Sequence, residues 1–252
     1  MPGIILITGA TSGIGRACAH KFAKEGNRII ITGRRAERLE SIASDLRKLY
    51  NTAVLTLAFD VRNRSQVNEA FKDLPENFRK IDVLINNAGL ALGLKPIQEG
   101  NPDQWETMID TNVKGVLYVT HAVVPLMLQH GHGHIINIGS IAGKEAYLNG
   151  NVYCATKAAI DSLTKTMRID LLTKNIKVTQ VAPGAVETEF SLVRFSGDNE
   201  AASKVYQGFE PLRPDDVADV VHYCTTLPAH VNINDILIMP AAQASASIFN
   251  KK

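Results

Sequence analysis

The chain reads as a doubly wound α/β fold, a seven-stranded parallel sheet with helices on both faces. Three observations predict it. Short runs of Ile, Val and Leu alternate with longer amphipathic stretches, the runs are almost continuously apolar, and a glycine-rich turn joins the first run to the first helix. Ile4-Ile5-Leu6-Ile7 precedes a helix over 13–25, Ile29-Ile30-Ile31 one over 35–50, and Ala53-Val54-Leu55-Thr56-Leu57 one over 64–74. Val83-Leu84-Ile85, Ile135-Ile136-Asn137-Ile138, Val178-Thr179-Gln180-Val181 and Ile236-Leu237-Ile238-Met239 complete the strands. Strands this apolar are buried on both sides, as in a parallel sheet covered by helices. Two later helix starts have a local cause: Asn101-Pro102 sets a cap residue before a proline, and Pro214-Asp215-Asp216 places carboxylates in a first turn. A further helix is expected over 151–173. The stretch from about 187 to 212, with Gly197, Gly208 and Pro211, reads as an irregular excursion and as the candidate substrate lid.

With 252 residues, 45% of them hydrophobic and 21% charged, the chain is expected to form one domain over 1–252. A net charge of +2, with dispersed lysines and arginines, argues against a nucleic-acid footprint or a membrane-surface stripe. No apolar run reaches the roughly 18 residues of a membrane span, so the expected partner is a small molecule. Met1-Pro2-Gly3 leads straight into a strand, and Cys18, Cys154 and Cys224 lack metal or redox spacing. Both features point to a cytoplasmic protein with reduced thiols. His130-Gly131-His132-Gly133-His134 reads as a glycine-broken turn with exposed histidines, and no metal is expected.

Thr8-Gly9-Ala10-Thr11-Ser12-Gly13-Ile14-Gly15-Arg16 follows the first strand and opens a helix, the context of a Rossmann-type dinucleotide site. Without Cβ atoms, Gly9, Gly13 and Gly15 let a pyrophosphate approach free N–H groups at the helix start, beside Thr11, Ser12 and Ile14. Where many such folds carry an acidic residue for a ribose 2′-hydroxyl, this chain has Arg34 and Arg35 after its second strand. Guanidinium groups suit a phosphate, so NADP is expected rather than NAD, although one arginine is also expected to decorate the following helix. Asp60, with Val61 beside it, ends the third strand and is a candidate acceptor for the adenine amino group.

Tyr153 and Lys157 stand one helical turn apart, and Ser140 ends an apolar run upstream. A phenol with an ordinary pKa of about 10 works near neutrality only if lowered by roughly three units, about 4 kcal/mol, and the lysine is expected to supply that shift.

In this order along nearly the whole chain, Thr8-Gly9-x-x-x-Gly13-x-Gly15, Asn86-Asn87-Ala88-Gly89, Asn112, Ser140, Tyr153-x-x-x-Lys157 and Pro183-Gly184 resemble the short-chain dehydrogenase/reductase family. A narrower resemblance, through Asp60-Val61-Arg62-Asn63-Arg64, the 87–93 and 105–112 segments and 227–234, is to NADP-dependent 3-hydroxy acid dehydrogenases acting on serine and allo-threonine. That resemblance implies a proton exchanged by Tyr153, a ribose and a lowered phenol pKa held by Lys157, and a substrate oxygen held by Ser140. It further implies a water held by Asn112, strands tied by Asn86 and Asn87 with a cofactor contact from Asn87, and a nicotinamide side lined by Pro183, Gly184, Val186 and Thr188. A tetramer is implied as well. Residues 182–190 are one residue shorter than expected of the narrower group, and Lys144-Glu145 places charge where a pocket rim is expected. Arg194 is the candidate for a substrate carboxylate, with Arg213 the second choice. A 3-oxoacyl thioester reductase acting on a carrier protein and a non-catalytic nucleotide sensor are the competing readings.

Overall fold

The computed structural model describes residues 3–195 and 197–252, so Met1, Pro2 and Ser196 lie outside it. Seven strands form one all-parallel sheet in the order β3-β2-β1-β4-β5-β6-β7. They are β1 (Ile4–Ile7), β2 (Arg28–Gly33), β3 (Val54–Ala58), β4 (Ile81–Asn86), β5 (Gly133–Ile138), β6 (Ile176–Pro183) and β7 (Asp235–Ile238). Side-chain alternation along β1 explains why its sequence is apolar at every position: Ile5 and Ile7 enter one core, Ile4 and Leu6 the other. The first core packs α1 (Gly13–Lys24), α2 (Ala36–Tyr50) and α9 (Pro214–Thr226) on one face. The second packs α3 (Arg64–Lys72), α5 (Gly115–His130) and α6 (Asn151–Leu171) on the other.

The strand order reverses between β1 and β4, and chain ends of parallel strands at such a switch leave a crevice for ligands. Thr8 stitches this point together: its Oγ1 accepts from the backbone N–H groups of Asn87 and Ala88, both at 3.0 Å. One strand over, Asn86 Nδ2 donates to Asn137 Oδ1 at 2.9 Å and to Thr120 Oγ1 at 3.0 Å, tying β4 to β5 and α5.

The expected capped start at Asn101 is present, with α4 (Pro102–Ile109) following it and the Asn101 side chain accepting from Asp103 N. Between α4 and α5 the helix does not stop but passes through a π-helical turn, Asp110–Lys114, which carries Asn112. The 187–212 stretch is more ordered than its composition suggests, holding α7 (Phe190–Arg194) and α8 (Asn199–Lys204), the latter capped by Asp198.

One expectation about the strands and loops fails. His134 is not an exposed loop residue, because β5 begins at Gly133 and draws the imidazole into the sheet, where it is 4% exposed. Its Nε2 pairs with Thr179 Oγ1 at 2.8 Å, and burial pushes its pKa down to about 3, so the ring is neutral. His132 does stay exposed, paired to Asp82 at 2.8 Å. Cys18, Cys154 and Cys224 are buried free thiols, and among the described residues no helix is long and apolar enough to cross a membrane.

Candidate active site

Above the strand switch lies a cavity of about 630 Å³. At one end it is lined by Gly9, Thr11, Ser12, Gly13 and Ile14 of the glycine turn, with Arg34, Arg35, Asp60 and Val61. At the other end stand Ser140, Tyr153, Lys157 and Arg194, and Asn87, Pro183, Gly184, Val186 and Thr188 line the wall between.

The glycine turn is shaped as its sequence requires. Gly9 has φ +66° and Gly13 φ +51°, conformations that other residues rarely adopt. Gly15 lies behind the cavity wall, and a Cβ there would stand 2.4 Å from Asn87 Nδ2 and 2.5 Å from Gly9 O. Asn87 itself holds the turn, donating to Thr8 O at 2.9 Å and Gly9 O at 3.2 Å. Arg35 caps the start of α2 and donates to Thr11 Oγ1 at 2.7 Å, so this arginine both decorates the helix and faces the cavity. Glu189 approaches it at 3.9 Å and Arg38 at 3.3 Å. Asp60 lines the cavity, but both its oxygens accept from Arg62, at 3.1 and 2.6 Å. Burial works to raise the Asp60 carboxyl, and the Arg62 hydrogen bonds overcome it, leaving the group below its ordinary value.

Helix α6 presents Tyr153 and Lys157 inward, each 8% exposed. Ser140 ends β5's outgoing chain and its Oγ accepts from Ala142 N at 3.1 Å, which leaves its own O–H to donate elsewhere. Lys157 Nζ donates to Ile138 O at 2.9 Å. Asn112 lies just outside the cavity wall with its side chain committed: it accepts from Leu90 N and donates to Leu90 O, both at 2.8 Å, and donates to Thr156 Oγ1 at 3.0 Å. The side-chain amide thus braces the 89–92 loop against α6, and the water-holding part implied by resemblance does not follow from this amide.

The expected acidification of Tyr153 by Lys157 is not what the protein's own groups produce. Burial pushes the phenol above its ordinary value, and only the nearby Ser140 hydroxyl and Arg194 guanidinium work against it. Burial pushes Lys157 down to about 8. The largest cause of both shifts is withdrawal from water of groups whose charged forms need it, and at Tyr153 the neighbouring Tyr147 phenol adds to it.

Arg194 sits in α7 rather than on a free loop. Its guanidinium lies 5.4 Å from the Tyr147 ring and 5.6 Å from the Tyr153 ring, and donates to Tyr147 Oη at 2.7 Å. Arg213 is elsewhere, at the cap of α9 and exposed. Lys144 does not charge the rim: it points away to Asp161 at 2.5 Å and to Asp235. Glu145 instead accepts from Ala246 N at 2.9 Å, holding the C-terminal segment beside the cavity. Sequence reasoning missed Tyr147, Phe190, Gln243 and Phe249 in the lining. Gln243 Oε1 accepts from Ala185 N at 2.8 Å across 58 residues, a contact with no local pattern to reveal it. Tyr147, an aromatic within a turn rich in Asn and Gly, was the one visible signal.

The family pattern described as short chain dehydrogenase matches residues 3–198. The chain belongs to the short-chain dehydrogenase family. It is 48% identical over 246 residues to the NADP-dependent 3-hydroxy acid dehydrogenase YdfG of Salmonella typhi, spanning 97% of this chain and 98% of that one. It is 47% identical over 245 residues to sulfoacetaldehyde reductase 2 of Chromohalobacter salexigens, spanning 97% and 96%. The closed form of a serine dehydrogenase complexed with NADP+ superposes with a TM-score of 0.92 at 46% identity, covering 99% of both chains.

The shift of Lys157 has a consequence for stability. An unfolded chain keeps the lysine proton up to about 10.5, whereas the folded one releases it at about 8, so the parent gains stability as pH rises between these values. Lys157→Met removes the titrating group. The difference in melting temperature between parent and variant is therefore expected to shift in the parent's favour from pH 7.5 to pH 9.5 in thermal unfolding, and a pH-independent difference would contradict the burial of a charged amine.

Proposed function

We propose that the protein is an NADP-dependent oxidoreductase interconverting short 3-hydroxy acids, of the serine, allo-threonine and 3-hydroxypropionate type, with their 3-oxo or semialdehyde products. One observation carries this reading: a single cavity joins the glycine turn and the Arg34–Arg35 pair to Ser140, Tyr153, Lys157 and the Arg194 guanidinium. The names of the relatives, which specify an acid and sulfoacetaldehyde as substrates and NADP as cofactor, support it.

In this reading Gly9, Thr11, Ser12, Gly13 and Ile14 receive the pyrophosphate at the start of α1, while Gly15 lets the turn fold back tightly against Asn87. Arg34 and Arg35 take the 2′-phosphate, Asp60 and Val61 flank the adenine, and Asn87, Pro183, Gly184, Val186 and Thr188 line the nicotinamide side. Bound there, NADP would supply the hydride acceptor and, when oxidised, a positively charged ring. Tyr153 takes the proton of the substrate hydroxyl during oxidation and returns it during reduction. Ser140 donates its remaining O–H to the same oxygen, where charge develops. Lys157, with a proton affinity set near pH 8, keeps an ammonium close to the phenol at neutrality and holds the ribose. Asn112 fixes the loop in front of this pair. Arg194 offers a planar fork to the substrate carboxylate.

A cation beside the Tyr153 ring favours a free acid over the thioester of a carrier protein, and a sensor would have no use for the Ser140–Tyr153–Lys157 group. The buried thiols support a reducing compartment, which we take to be the cytoplasm. Leu117, Leu128, Ile169 and Leu172, exposed on α5 and at the end of α6, support self-association as a tetramer.

Tyr153→Phe removes one hydroxyl. Assayed with serine, allo-threonine and 3-hydroxypropionate, it is expected to retain NADP binding while losing at least ~10²-fold in turnover; unchanged turnover would exclude Tyr153 as the proton-exchanging group. Replacing Arg34 and Arg35 by alanine is expected to raise KM for NADP by about tenfold or more, as loss of charge-assisted hydrogen bonds implies, with a much smaller effect on NAD. Equal rises for the two cofactors would mean general electrostatics rather than phosphate recognition.

A further inference from the structure

Asp161, one turn past Lys157 on α6, stands outside the cavity and takes no part in the chemistry above. Its carboxylate is nonetheless a junction. Oδ1 accepts from Lys144 Nζ at 2.5 Å and from Gln180 Nε2 at 2.9 Å, and Oδ2 accepts from Lys165 Nζ at 2.5 Å. Lys144 also reaches Asp235 at the start of β7. The side chains of Asp161 and Lys144 are 15% and 23% exposed, and the carboxylate is held by three donors at once, which distinguishes it from an isolated surface pair.

Two of the three donors touch the segments on either side of Ser140, Lys144 by chain position and Gln180 by packing from a neighbouring strand. Downstream, Lys144 ends the 3₁₀ turn Ile141–Gly143 that begins right after Ser140. That turn lies flush on α6, since a Cβ on Gly143 would stand 2.5 Å from Lys157 O. Upstream, Gly139 rests on the side chain of Gln180 from β6, where an added Cβ would meet Cδ at 2.9 Å. One carboxylate thereby fixes both approaches to Ser140, and it does so from the helix that carries Tyr153 and Lys157.

We propose that Asp161 is a positioning residue for Ser140: through Lys144 and Gln180 it sets the direction in which the Ser140 hydroxyl meets the substrate oxygen. This rests on the role given to Ser140 above. Misplacing a reacting group by about 1 Å can lose on the order of 10²-fold in rate, so a clamp on the serine turn belongs to turnover rather than to cofactor affinity. The proposal also gives Lys144 a part: the charge that sequence reasoning placed on a pocket rim is the downstream arm of this clamp.

A double-mutant cycle tests it on the full-length enzyme, with Asp161→Asn, Ser140→Ala and the pair, reading kcat and the KM for NADP separately. The expected result is that Asp161→Asn lowers kcat about tenfold, leaves KM for NADP within about twofold, and causes no further loss of kcat once Ser140 is alanine. Lys144→Met, which cuts the downstream arm together with the Asp235 contact and leaves Asp161 paired to Lys165 and Gln180, is expected to show the same kcat-selective loss, and it keeps the test decisive if Asp161→Asn folds poorly. Equal kcat losses from Asp161→Asn in both backgrounds, or full activity in Asp161→Asn and Lys144→Met, would overturn the positioning role while leaving the reading of Ser140 intact. Full activity in Ser140→Ala alone would instead remove that reading, and with it this proposal.

Discussion

Withdrawal of Tyr153 and Lys157 from water is the constraint on which the rest of the site depends. A phenol and an amine placed one turn apart on a helix suggest mutual assistance, the amine acidifying the phenol. Inside the protein the larger effect is desolvation, which raises the phenol and lowers the amine to about 8. The protein's own atoms thus hold the proton-exchanging group in its neutral form. Ser140 and Arg194 pull the other way, but burial outweighs them. In the proposed reaction the missing stabilisation of phenolate falls to the positive charge that an oxidised nicotinamide brings, so proton transfer and occupation of the cavity become linked. The same low-polarity setting strengthens every hydrogen bond that Ser140 can offer to a developing charge.

The fold serves this by keeping polar connections rigid where the sheet splits. Thr8, Asn86 and Asn87 lie at the chain ends of β1 and β4, and each satisfies backbone or neighbouring amide groups that would otherwise be orphaned in the crevice. Asn112, in its π-helical turn, does the same for the 89–92 loop. Behind the reacting groups, Asp161 gathers Lys144, Lys165 and Gln180 into one half-exposed cluster, and burial tends to raise its carboxyl while these partners hold it at about 2.

Most of the sheet was legible in the sequence because strands buried on both faces leave almost no polar residue within each run. Ile29 to Ile31 and Val83 to Ile85 fall inside β2 and β4 for that reason. Legibility faded at strand ends that carry polar residues: Asn86 ends β4 and His134 is the second residue of β5, each paired to a partner that only the folded sheet supplies. The glycine turn, Ser140, Tyr153 and Lys157 were readable because their spacing is set by local geometry, a turn or a helical repeat. Tyr147 with Arg194, Gln243 with Ala185, and Lys144 with Asp161 meet across 47, 58 and 17 residues, and no local rule links them. The sign of the Tyr153 shift was misjudged for a related reason, since spacing reveals the neighbouring amine but not the depth of burial.

The most direct test of this account is an ultraviolet titration of phenolate formation, taken as the difference between the parent and Tyr153→Phe, with and without NADP+. The account predicts that Tyr153 alone titrates above its ordinary value of 10.0 and moves down by at least about two units when NADP+ is bound. A Tyr153 that already titrates near neutrality in the protein alone, or that does not move on NADP+ binding, would contradict it.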